Sequence, residues 1–350
     1  MGDQFPAYPR GRGAGSNPSS RFDRLAYAPD PGEAPGSVPT EYFRDTSRSI
    51  LSENNSPDLG IGRTLNAYKG CSHGCAYCYA RPTHEYLGLS AGLDFESKIF
   101  VKEDAPELLR EELMRPKYVP MTIAMSGVTD PYQFIERELR ITRRCLEVLA
   151  EFRHPVGMIT KSALIERDVD PLGDLARDRC ASATISITSL DQDLQRKLEP
   201  RASTPRARLQ AIRTLSEAGV PVSVNVAPVI PGLTDHEIPA ILRAAAEAGA
   251  RRAGWVLVRL PHGVKDLFTD WLEAHEPLRK EKVLSKLRQL HGGKLYDSEY
   301  GKRMRGEGPL ADQIEQMFNL HCRRNGLNVE RKKLNLEAFR RPCGQLELFS

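Results

Sequence analysis

The chain has 350 residues, of which 27% are charged, and its formal net charge is only +4 at pH 7. This length can bury a sizeable core in one large domain or two smaller ones, and so small a charge does not require a nucleic-acid partner. A membrane span is not expected, because the sequence lacks a run of about 18 uncharged apolar residues.

The first 45 residues contain seven Pro and six Gly and show no apolar periodicity. Such a segment buries too little apolar surface to offset its ordering entropy, so we predict disorder over residues 1–45.

The N-terminus also lacks the apolar segment of a secretory signal. The seven cysteines, three of them clustered, do not resemble a disulfide framework. We therefore expect a protein of the reducing cytoplasm.

From Thr64 onward, short β-rich runs alternate with amphipathic runs that are typical of helices. The predicted strands are TLNAY, MTIAM, VGMIT, ATISI, VSVNV and GWVLV. The predicted helices between them are PELLREELM, FIERELRITRRCLEVLAEF, PLGDLARD, PRARLQAIRTLSEAG and DHEIPAILRAAAEAGA. This alternation predicts an α/β fold, a partial (β/α)6 TIM-like barrel over residues 46–265. Residues 266–340 are predicted to form an α-helical C-terminal extension, and residues 341–350 a flexible tail.

Two of the predicted strands have one apolar face and one small, polar face. In SATISIT (182–188) and PVSVNVA (221–227), Ser, Thr or Asn alternate with Ala, Ile or Val. Side chains of a strand point alternately to its two faces, so the apolar face can meet the helices. A packed barrel interior prefers Val, Ile and Leu, so the polar face predicts an open barrel that holds a ligand. A half-exposed antiparallel strand would give the same alternation.

Cys71, Cys75 and Cys78 have the spacing C-x3-C-x2-C in KGCSHGCAYCYA. Three such thiolates bind a soft metal. Structural zinc needs four ligands, of which His73 or His84 could supply the fourth, and a conventional iron–sulfur cluster needs four cysteines. The remaining cysteines are Cys145, Cys180 and Cys322, which are typical of small buried apolar residues, and Cys343 in the tail.

The spacing of the three cysteines, with Tyr77 just before the third, resembles the signature of the radical S-adenosylmethionine (SAM) superfamily. The resemblance implies a [4Fe–4S] cluster held by Cys71, Cys75 and Cys78, with Tyr77 beside the cofactor. The amino and carboxylate groups of S-adenosylmethionine then chelate the fourth iron. One electron cleaves the sulfonium to methionine and a 5′-deoxyadenosyl radical, which abstracts hydrogen from a substrate.

The resemblance extends over roughly residues 60–335 and implies residues that hold the methionine moiety. SGVTDPYQ (126–133) follows the second predicted strand, where the superfamily has a loop that meets the methionine amino group. Thr129 and Asp130 are the candidates there, because backbone carbonyls and a carboxylate suit an ammonium. Lys161 ends the third strand in ITKS and is the candidate for the methionine carboxylate.

Other candidates concern the nucleoside. Ser186 and Asn225 lie on the polar strand faces and are expected at the ribose hydroxyls. PVIPGLTD (228–235) resembles the G-x-I-x-G-x-x-E segment that packs against the adenine, although it has Pro and Asp where that segment has Gly and Glu. Arg201 in EPRASTPRARL is a further candidate for the carboxylate or for substrate anions. All these positions fall near strand ends, where parallel barrels keep their sites.

Four segments together resemble the branch that contains spore photoproduct lyase and DNA repair photolyase-like relatives. They are NAYKGCSHGCAYCYAR, TDPYQ, ITKS and EPRASTPRARL. In that lyase a cysteine just after the second strand returns the hydrogen atom to the product radical. This sequence has no cysteine between Cys78 and Cys145. We therefore expect that it does not reverse the spore photoproduct, and Tyr132 is the candidate hydrogen donor. A flavodoxin- or ferredoxin-type reductant is the expected electron donor.

The tail GQLELFS resembles the Q-L-x-L-F peptide by which bacterial repair and replication proteins dock on the sliding clamp. Its anchors are Gln345, Leu346, Leu348 and Phe349. The alternative is an apolar terminus that folds back on the barrel. The last fifty residues carry 10 Lys and Arg against 6 Asp and Glu, a basic face for solvent or for a polyanion.

The leading hypothesis is thus a cytoplasmic radical enzyme that acts on nucleic acid. The alternatives are a radical enzyme that modifies a tRNA, a protein or a small molecule, and a non-catalytic iron–sulfur protein. Because one fold hosts many functions, the nucleic-acid assignment rests on the family resemblance and on the tail.

Overall fold

The computed structural model describes residues 8–18, 20–22, 38–54, 56–58, 62–330 and 333–342. The strands of these residues are β1 Glu41–Arg44, β2 Leu51–Glu53, β3 Arg63–Leu65, β4 Tyr68–Lys69, β5 Lys98–Val101, β6 Ile123–Met125, β7 Val156–Thr160, β8 Ala181–Ile187, β9 Val222–Val229 and β10 Arg252–Leu257. The α-helices are α1 Leu93–Ser97, α2 Ala105–Met114, α3 Glu136–Leu139, α4 Ile141–Glu151, α5 Val169–Arg177, α6 Gln192–Leu198, α7 Pro205–Glu217, α8 Ile238–Glu247, α9 Val264–His275, α10 Pro277–Leu290 and α11 Pro309–Arg324. Short 3-10 helices cover Arg81–Leu87, Ala163–Asp168 and Asp235–Glu237.

The main sheet has the order β10-β9-β8-β7-β6-β3-β2. The six strands from β3 to β10 in this sheet pair in parallel, and β2 pairs antiparallel with β3 at the edge. Each crossover carries at least one helix, as parallel strands require. The predicted α/β fold with six parallel strands is therefore confirmed. The strands that correspond to the six predicted runs are β3, β6, β7, β8, β9 and β10.

The apolar strand face and the helices form the main core, as the alternation predicts. Ile185 and Val224 are fully buried among Ile212 of α7 and Leu242 of α8. Helix α7 begins at Pro205 because the Thr204 hydroxyl accepts the Ala207 amide and proline suits the first helical turn. The six-strand core thus places the polar strand faces opposite the helices.

The predicted helix FIERELRITRRCLEVLAEF is divided into two, and so is the helical pattern that runs from Asp266 to about Leu290. Between α3 and α4, Arg140 takes a left-handed conformation with φ 51°, and the Glu136 carboxylate accepts the amides of Ile141 and Thr142 at 3.1 and 3.0 Å. Between α9 and α10, Pro277 cannot donate a backbone hydrogen bond, so a new helix starts there. Periodicity continues across both breaks, and it therefore does not reveal them.

A second, three-stranded sheet has the order β1-β5-β4 and lies beside the barrel. Its strand β1 pairs in parallel with β5. Residues 9–18 also have a defined place, since the amides of Gly13 and Ala14 donate to the buried carboxylate of Glu96 at 3.0 and 2.9 Å. At these residues the structure differs from the disorder predicted for residues 1–45, because backbone hydrogen bonds replace the missing apolar surface. Residues 1–7, 19 and 23–37 lie outside the described residues.

The predicted C-terminal helical extension corresponds to α9, α10 and α11. Residues 333–342 then run along the amino ends of the strands, where Arg340 donates its amide to Phe152 and Arg341 donates to the carbonyl of Arg115 at 2.8 Å. Residues 341 and 342 therefore have a defined place, although the flexible tail was predicted from residue 341. Cys343 and the four clamp-peptide residues lie outside the described residues. Among the described residues, no helix has the length and apolar character needed to span a membrane.

Candidate active site

A cavity of about 260 Å³ lies at the carboxyl ends of the parallel strands. Parallel barrels keep their sites at this end, because the loops that follow the strands converge there. Of the residues that the sequence predicts for the site, those that line the cavity are Cys71, Cys75, Tyr77, Cys78, Thr129, Asp130, Lys161, Ser186 and Asn225. The fold thus brings together residues from a stretch of the chain that spans five strands.

The loop that carries the three cysteines follows β4 and is held by distant backbone groups. Gly70 turns it with φ +80°, and a Cβ atom there would lie 2.8 Å from the Phe95 carbonyl oxygen. The amide of Cys71 donates to that same carbonyl at 2.9 Å, and the amide of Ala76 donates to Leu198 at 3.0 Å. Hydrogen bonds within the protein therefore fix the path of the loop.

Arg81 stabilises the cysteine loop through hydrogen bonds to its backbone. Its fully buried guanidinium donates to the carbonyl of Cys75 at 2.9 and 3.1 Å and to the carbonyls of Ala91 and Gly92. It also pairs with the buried carboxylate of Glu96 at 2.9 Å. Since Glu96 holds the amides of residues 13 and 14, one ion pair joins the cysteine loop to the N-terminal segment.

Gln133 and Thr129 fasten the start of the loop. The carbonyl of Gly70 accepts the Thr129 hydroxyl at 2.6 Å and the Gln133 amide at 3.1 Å, and Gln133 in turn accepts the Ser72 amide at 2.7 Å. Gln133 was not among the predicted site residues, although it closes the segment SGVTDPYQ. The signal available in the sequence was an amide side chain at that position, which can both donate and accept hydrogen bonds.

Asp130 joins three elements rather than presenting a free carboxylate. One oxygen accepts the Thr160 hydroxyl at 2.7 Å, and the other accepts the Lys161 amide at 2.8 Å. The imidazole of His73, from the cysteine loop, lies 3.5 Å from the same carboxylate. These contacts hold the loop after β6 against the end of β7.

Glu199 is the main site residue that the sequence analysis missed. Its fully buried carboxylate accepts the hydroxyl of Tyr77, pairs with the ammonium of Lys161 at 3.2 Å and pairs with the guanidinium of Arg208. Burial by itself would raise the pKa of Glu199, but the charges of Arg208 and Lys161 outweigh it and hold this pKa well below its usual value. Glu199 and Arg208 both lie in EPRASTPRARL, so the segment was noted although these two residues were not.

Two predicted site residues lie elsewhere. The Tyr132 ring is buried in the main core and is not among the residues that line the cavity, so its place does not suit a hydrogen donor. Arg201 is exposed, and its guanidinium donates to the Thr40 hydroxyl at 3.0 Å, although its amide donates to the His73 carbonyl. In the adenine-like segment Pro228 lines the cavity, whereas Asp235 pairs with Lys286 at 3.1 Å. The observed positions of Tyr132 and Arg201 differ from the expected ones, because the position of a residue in the sequence does not reveal the direction in which its side chain leaves a loop.

The donor set fits a cluster with one open iron. The three clustered thiols line one cavity, and among the described residues no fourth cysteine does. The others lie in the main core, as expected of small buried residues; these are Cys145, Cys180 and Cys322. His84 does not line the cavity and its Nε2 atom lies 2.9 Å from the Lys98 carbonyl, while His73 faces Asp130. His84 is therefore not placed to complete a zinc site with the cysteines, and His73, which lines the cavity, has its Nδ1 atom 3.5 Å from the Asp130 carboxylate.

The chain is similar to known proteins in its sequence and in its fold. An uncharacterised protein of Mycobacterium tuberculosis (strain ATCC 25618 / H37Rv) is 35% identical over 239 residues, which are 68% of this chain and 69% of the relative. A radical SAM Nα-GlyT isomerase of Pseudomonas phage M6 is 26% identical over 220 residues, which are 62% of this chain and 43% of the isomerase. The fold is that of spore photoproduct lyase. The lyase complexed with dinucleoside spore photoproduct has a TM-score of 0.59 and 16% identity, with 82% of this chain and 80% of the lyase covered.

The sequence also matches the Radical SAM superfamily over residues 65–245, which include the cysteine loop and the strands from β4 to β9. The match covers more than half of the chain, and its members use a [4Fe–4S] cluster with S-adenosylmethionine. The chain therefore belongs to the radical SAM superfamily and is an enzyme that cleaves S-adenosylmethionine at a [4Fe–4S] cluster.

Proposed function

We propose that this radical SAM enzyme acts on a nucleic acid. The observation that carries the proposal is a pair of residues in the cavity wall, Tyr79 and Arg259. Tyr79 is 44% exposed, and the Arg259 guanidinium lies 4.4 Å from the centroid of its ring. The Tyr79 hydroxyl donates to the Gly127 carbonyl at 2.6 Å, which fixes the ring. A fixed aromatic ring beside an arginine is the arrangement on which proteins stack unpaired bases and hold phosphates.

Arg259 has further capacity for a ligand. Its buried Nε atom has no hydrogen-bond partner among the described residues. A buried donor without an acceptor is costly, so an acceptor from the substrate would be favoured there. A phosphate or a base edge supplies such an acceptor. The nearby segment around Met304 completes the wall, since Met304 lines the cavity and accepts the Leu257 amide at 2.9 Å.

The described residues have separate tasks in this function. When bound, the cluster and S-adenosylmethionine supply a radical that abstracts hydrogen from the substrate. Cys71, Cys75 and Cys78 would hold the cluster. We propose that Thr129 and Asp130 lie at the methionine ammonium, Lys161 at its carboxylate, and Ser186 and Asn225 at the ribose. Since the Asp130 carboxylate already accepts the Thr160 hydroxyl and the Lys161 amide, it would act by fixing the backbone around the ammonium.

The reaction differs, in our proposal, from reversal of the spore photoproduct. The segment 126–129 lines the cavity and contains no cysteine that could return a hydrogen atom. Reduced enzyme, S-adenosylmethionine and a dinucleotide spore photoproduct should therefore give no thymine above the background rate. Thymine recovery at enzyme-like rates would contradict this part of the proposal.

The nucleic-acid proposal is tested by binding and by cofactor cleavage. A labelled single-stranded oligonucleotide should bind the reconstituted enzyme and accelerate formation of 5′-deoxyadenosine. Tyr79→Leu and Arg259→Gln should each weaken binding about tenfold, because one stacked base contributes roughly 1–3 kcal/mol. Tyr86→Leu is the matched control, since Tyr86 is 73% exposed and contacts Arg21 but does not line the cavity. Equal affinities for all four proteins would refute the proposal.

We also propose that the C-terminal peptide docks on the sliding clamp. Residues 333–342 lie at the amino ends of the strands, where Asn335 donates its amide to Arg179, and the cavity lies at the opposite ends. A peptide that follows this anchor would leave the cavity mouth free while it binds the clamp. Fluorescence polarisation of a labelled peptide of residues 341–350 should show saturable binding to the clamp. An absence of binding at high micromolar clamp would end this proposal.

A cytoplasmic location completes the proposal. The six described cysteines are all free thiols, which suits a reducing compartment. The electron that reduces the cluster would then come from a flavodoxin- or ferredoxin-type protein. Purified flavodoxin with its reductase should support formation of 5′-deoxyadenosine in place of dithionite.

A further inference from the structure

Glu199 occupies an unusual position for a residue outside the cavity lining. It follows α6, and its side chain reaches Tyr77 from the cysteine loop and Lys161 from the end of β7. The Thr188 hydroxyl, just beyond β8, donates to the same carboxylate oxygen at 2.7 Å. One buried carboxylate therefore connects the cluster loop with two strand ends of the barrel.

The other carboxylate oxygen of Glu199 is held by Arg208. Each nitrogen of this guanidinium has a partner, since it also donates to the carbonyls of Ser203 and Ser186 at 2.8 and 2.9 Å. Arg208 thus fixes Glu199 from the side away from the cavity, and it leaves the second oxygen of Glu199 for Tyr77 and Lys161. The direction of the carboxylate is set by the fold, not by the ligand.

Lys161 is the member of this group that lines the cavity. Its ammonium has three donors, and the acceptors around it are Glu199 at 3.2 Å, the Ala227 carbonyl at 2.8 Å and the Thr188 hydroxyl at 3.4 Å. A lysine side chain has four rotatable bonds and would otherwise sample many positions. Of the three acceptors, only Glu199 carries a charge, so it contributes the strongest restraint.

We propose that Glu199 is a positioning residue that holds the Lys161 ammonium at the cavity wall for the carboxylate of S-adenosylmethionine. Without Glu199, the cations Lys161 and Arg208 would face each other in a buried region, and the flexible lysine would move away. The carboxylate of the cofactor would then meet a disordered ammonium or none. This inference rests on the proposed role of Lys161 at the carboxylate of S-adenosylmethionine, and it stands or falls separately from the nucleic-acid substrate.

The test measures cofactor affinity without any substrate. Reconstituted holoenzyme is titrated with S-adenosylmethionine, and binding is followed by the change in the electron paramagnetic resonance spectrum of the reduced cluster. Glu199→Gln keeps the size of the side chain but removes its charge. We expect its Kd for the cofactor to rise about tenfold, the effect of one charge-assisted hydrogen bond.

A double-mutant cycle decides whether Glu199 acts through Lys161. Lys161→Met should raise the Kd by a similar factor, and the double variant Lys161→Met/Glu199→Gln should be no weaker than Lys161→Met alone. Two effects that multiply in the double variant would overturn the proposal, as would an unchanged Kd in Glu199→Gln. Glu199→Asp retains the charge and should recover part of the affinity, and it replaces Glu199→Gln in the cycle if that variant does not fold.

A matched control separates positioning from general stability. Glu136 is also fully buried, accepts the hydroxyl of a tyrosine, Tyr68, and pairs with an arginine, Arg167, at 3.0 Å. None of these three residues lines the cavity. Glu136→Gln should therefore lower the free energy of unfolding while the Kd for S-adenosylmethionine remains unchanged. A tenfold rise in Kd in this control would show that the effect of Glu199→Gln is not specific.

Discussion

The two ends of the barrel are built from different chemistry. At the carboxyl ends of the strands, buried ion pairs lie near the cavity. One joins Arg81 to Glu96, and the other joins Arg208 to Glu199. At the amino ends, aromatic rings close the barrel, and Phe339 lies 5.7 Å from Tyr118 and 5.5 Å from His154 between ring centroids. The first end is charged and holds a cavity, whereas the second is mostly apolar and is covered by the C-terminal segment.

This difference separates function from stability. A buried ion pair gains little net stability, because the desolvation of its charges offsets their attraction, but it fixes side chains in definite directions. Apolar contacts are less directional and contribute stability in proportion to the area that they bury. We therefore expect substitutions at the cavity end to change the cluster and the cofactor. Substitutions at the closed end should change only the free energy of unfolding.

The largest effect is expected for Arg81→Ala at the cavity end. The substitution leaves the Glu96 carboxylate buried without a cation and the carbonyl of Cys75 without its donors. Breaking a buried pair in this way costs on the order of 3–5 kcal/mol, and the cysteine loop should lose its path. Iron and sulfide analysis should show that most of the cluster is lost. The control Arg110→Ala removes an exposed pair with Glu151 and should retain its iron.

Phe339→Ala tests the closed end. The ring contacts Tyr118, Phe152 and His154 and is partly buried, so its removal should lower the free energy of unfolding by roughly 2–4 kcal/mol. Denaturant unfolding measures this loss. The Kd for S-adenosylmethionine should remain that of the wild type, and a changed Kd would mean that the two ends are coupled.

Gly13→Ala tests how tightly the N-terminal segment contacts the cysteine loop. A Cβ atom at residue 13 would lie 1.7 Å from the Gly74 carbonyl oxygen, so the segment must move away. Overpacking of this kind costs roughly 1–3 kcal/mol, and the cluster should be lost faster to an iron chelator. Gly263→Ala is the control, because that position has open space around it and should behave as the wild type. Equal chelation rates would contradict a tight contact.

The smallest expected effect is a pH dependence at the closed end. The Nδ1 atom of His154 donates to the Pro155 carbonyl, and Nε2 accepts the Tyr118 hydroxyl at 2.7 Å. Burial lowers the pKa of His154 to about 4. The contribution of neutral His154 to the free energy of unfolding is therefore present above pH 6.5, the usual pKa of histidine. It is lost as the pH falls toward 4. The loss is on the order of 1–3 kcal/mol when it is complete.

The measurement is thermal unfolding of the wild type and of His154→Gln between pH 7.5 and 5. Glutamine does not titrate, so the variant should lose less stability than the wild type over this range. Parallel curves for the two proteins would show that His154 is not held neutral. The cofactor affinity of His154→Gln at pH 7.5 should match that of the wild type.

Much of the fold followed from local pattern. Short β-rich runs located all six parallel strands, and in β8 and β9 the alternation also predicted the buried face. The breaks at Arg140 and Pro277 were missed, since the apolar period continues through both. Residues 9–18 were predicted to be disordered because their composition is poor in apolar side chains, and composition cannot show that Glu96 would supply hydrogen bonds.

The sequence by itself predicted the three cluster ligands, because the cysteines are neighbours in the chain and their spacing is a local property. Strand alternation predicted Ser186 and Asn225 on the polar face, and the position of Lys161 at a strand end predicted it at the site; all three line the cavity. Only the tertiary structure decided that Glu199 meets Tyr77 and Lys161, and that Arg201 and Tyr132 point elsewhere. Glu199 is 122 residues from Tyr77 in the chain. No local pattern can encode a contact of that separation, since it depends on how β7, β8 and α7 pack together.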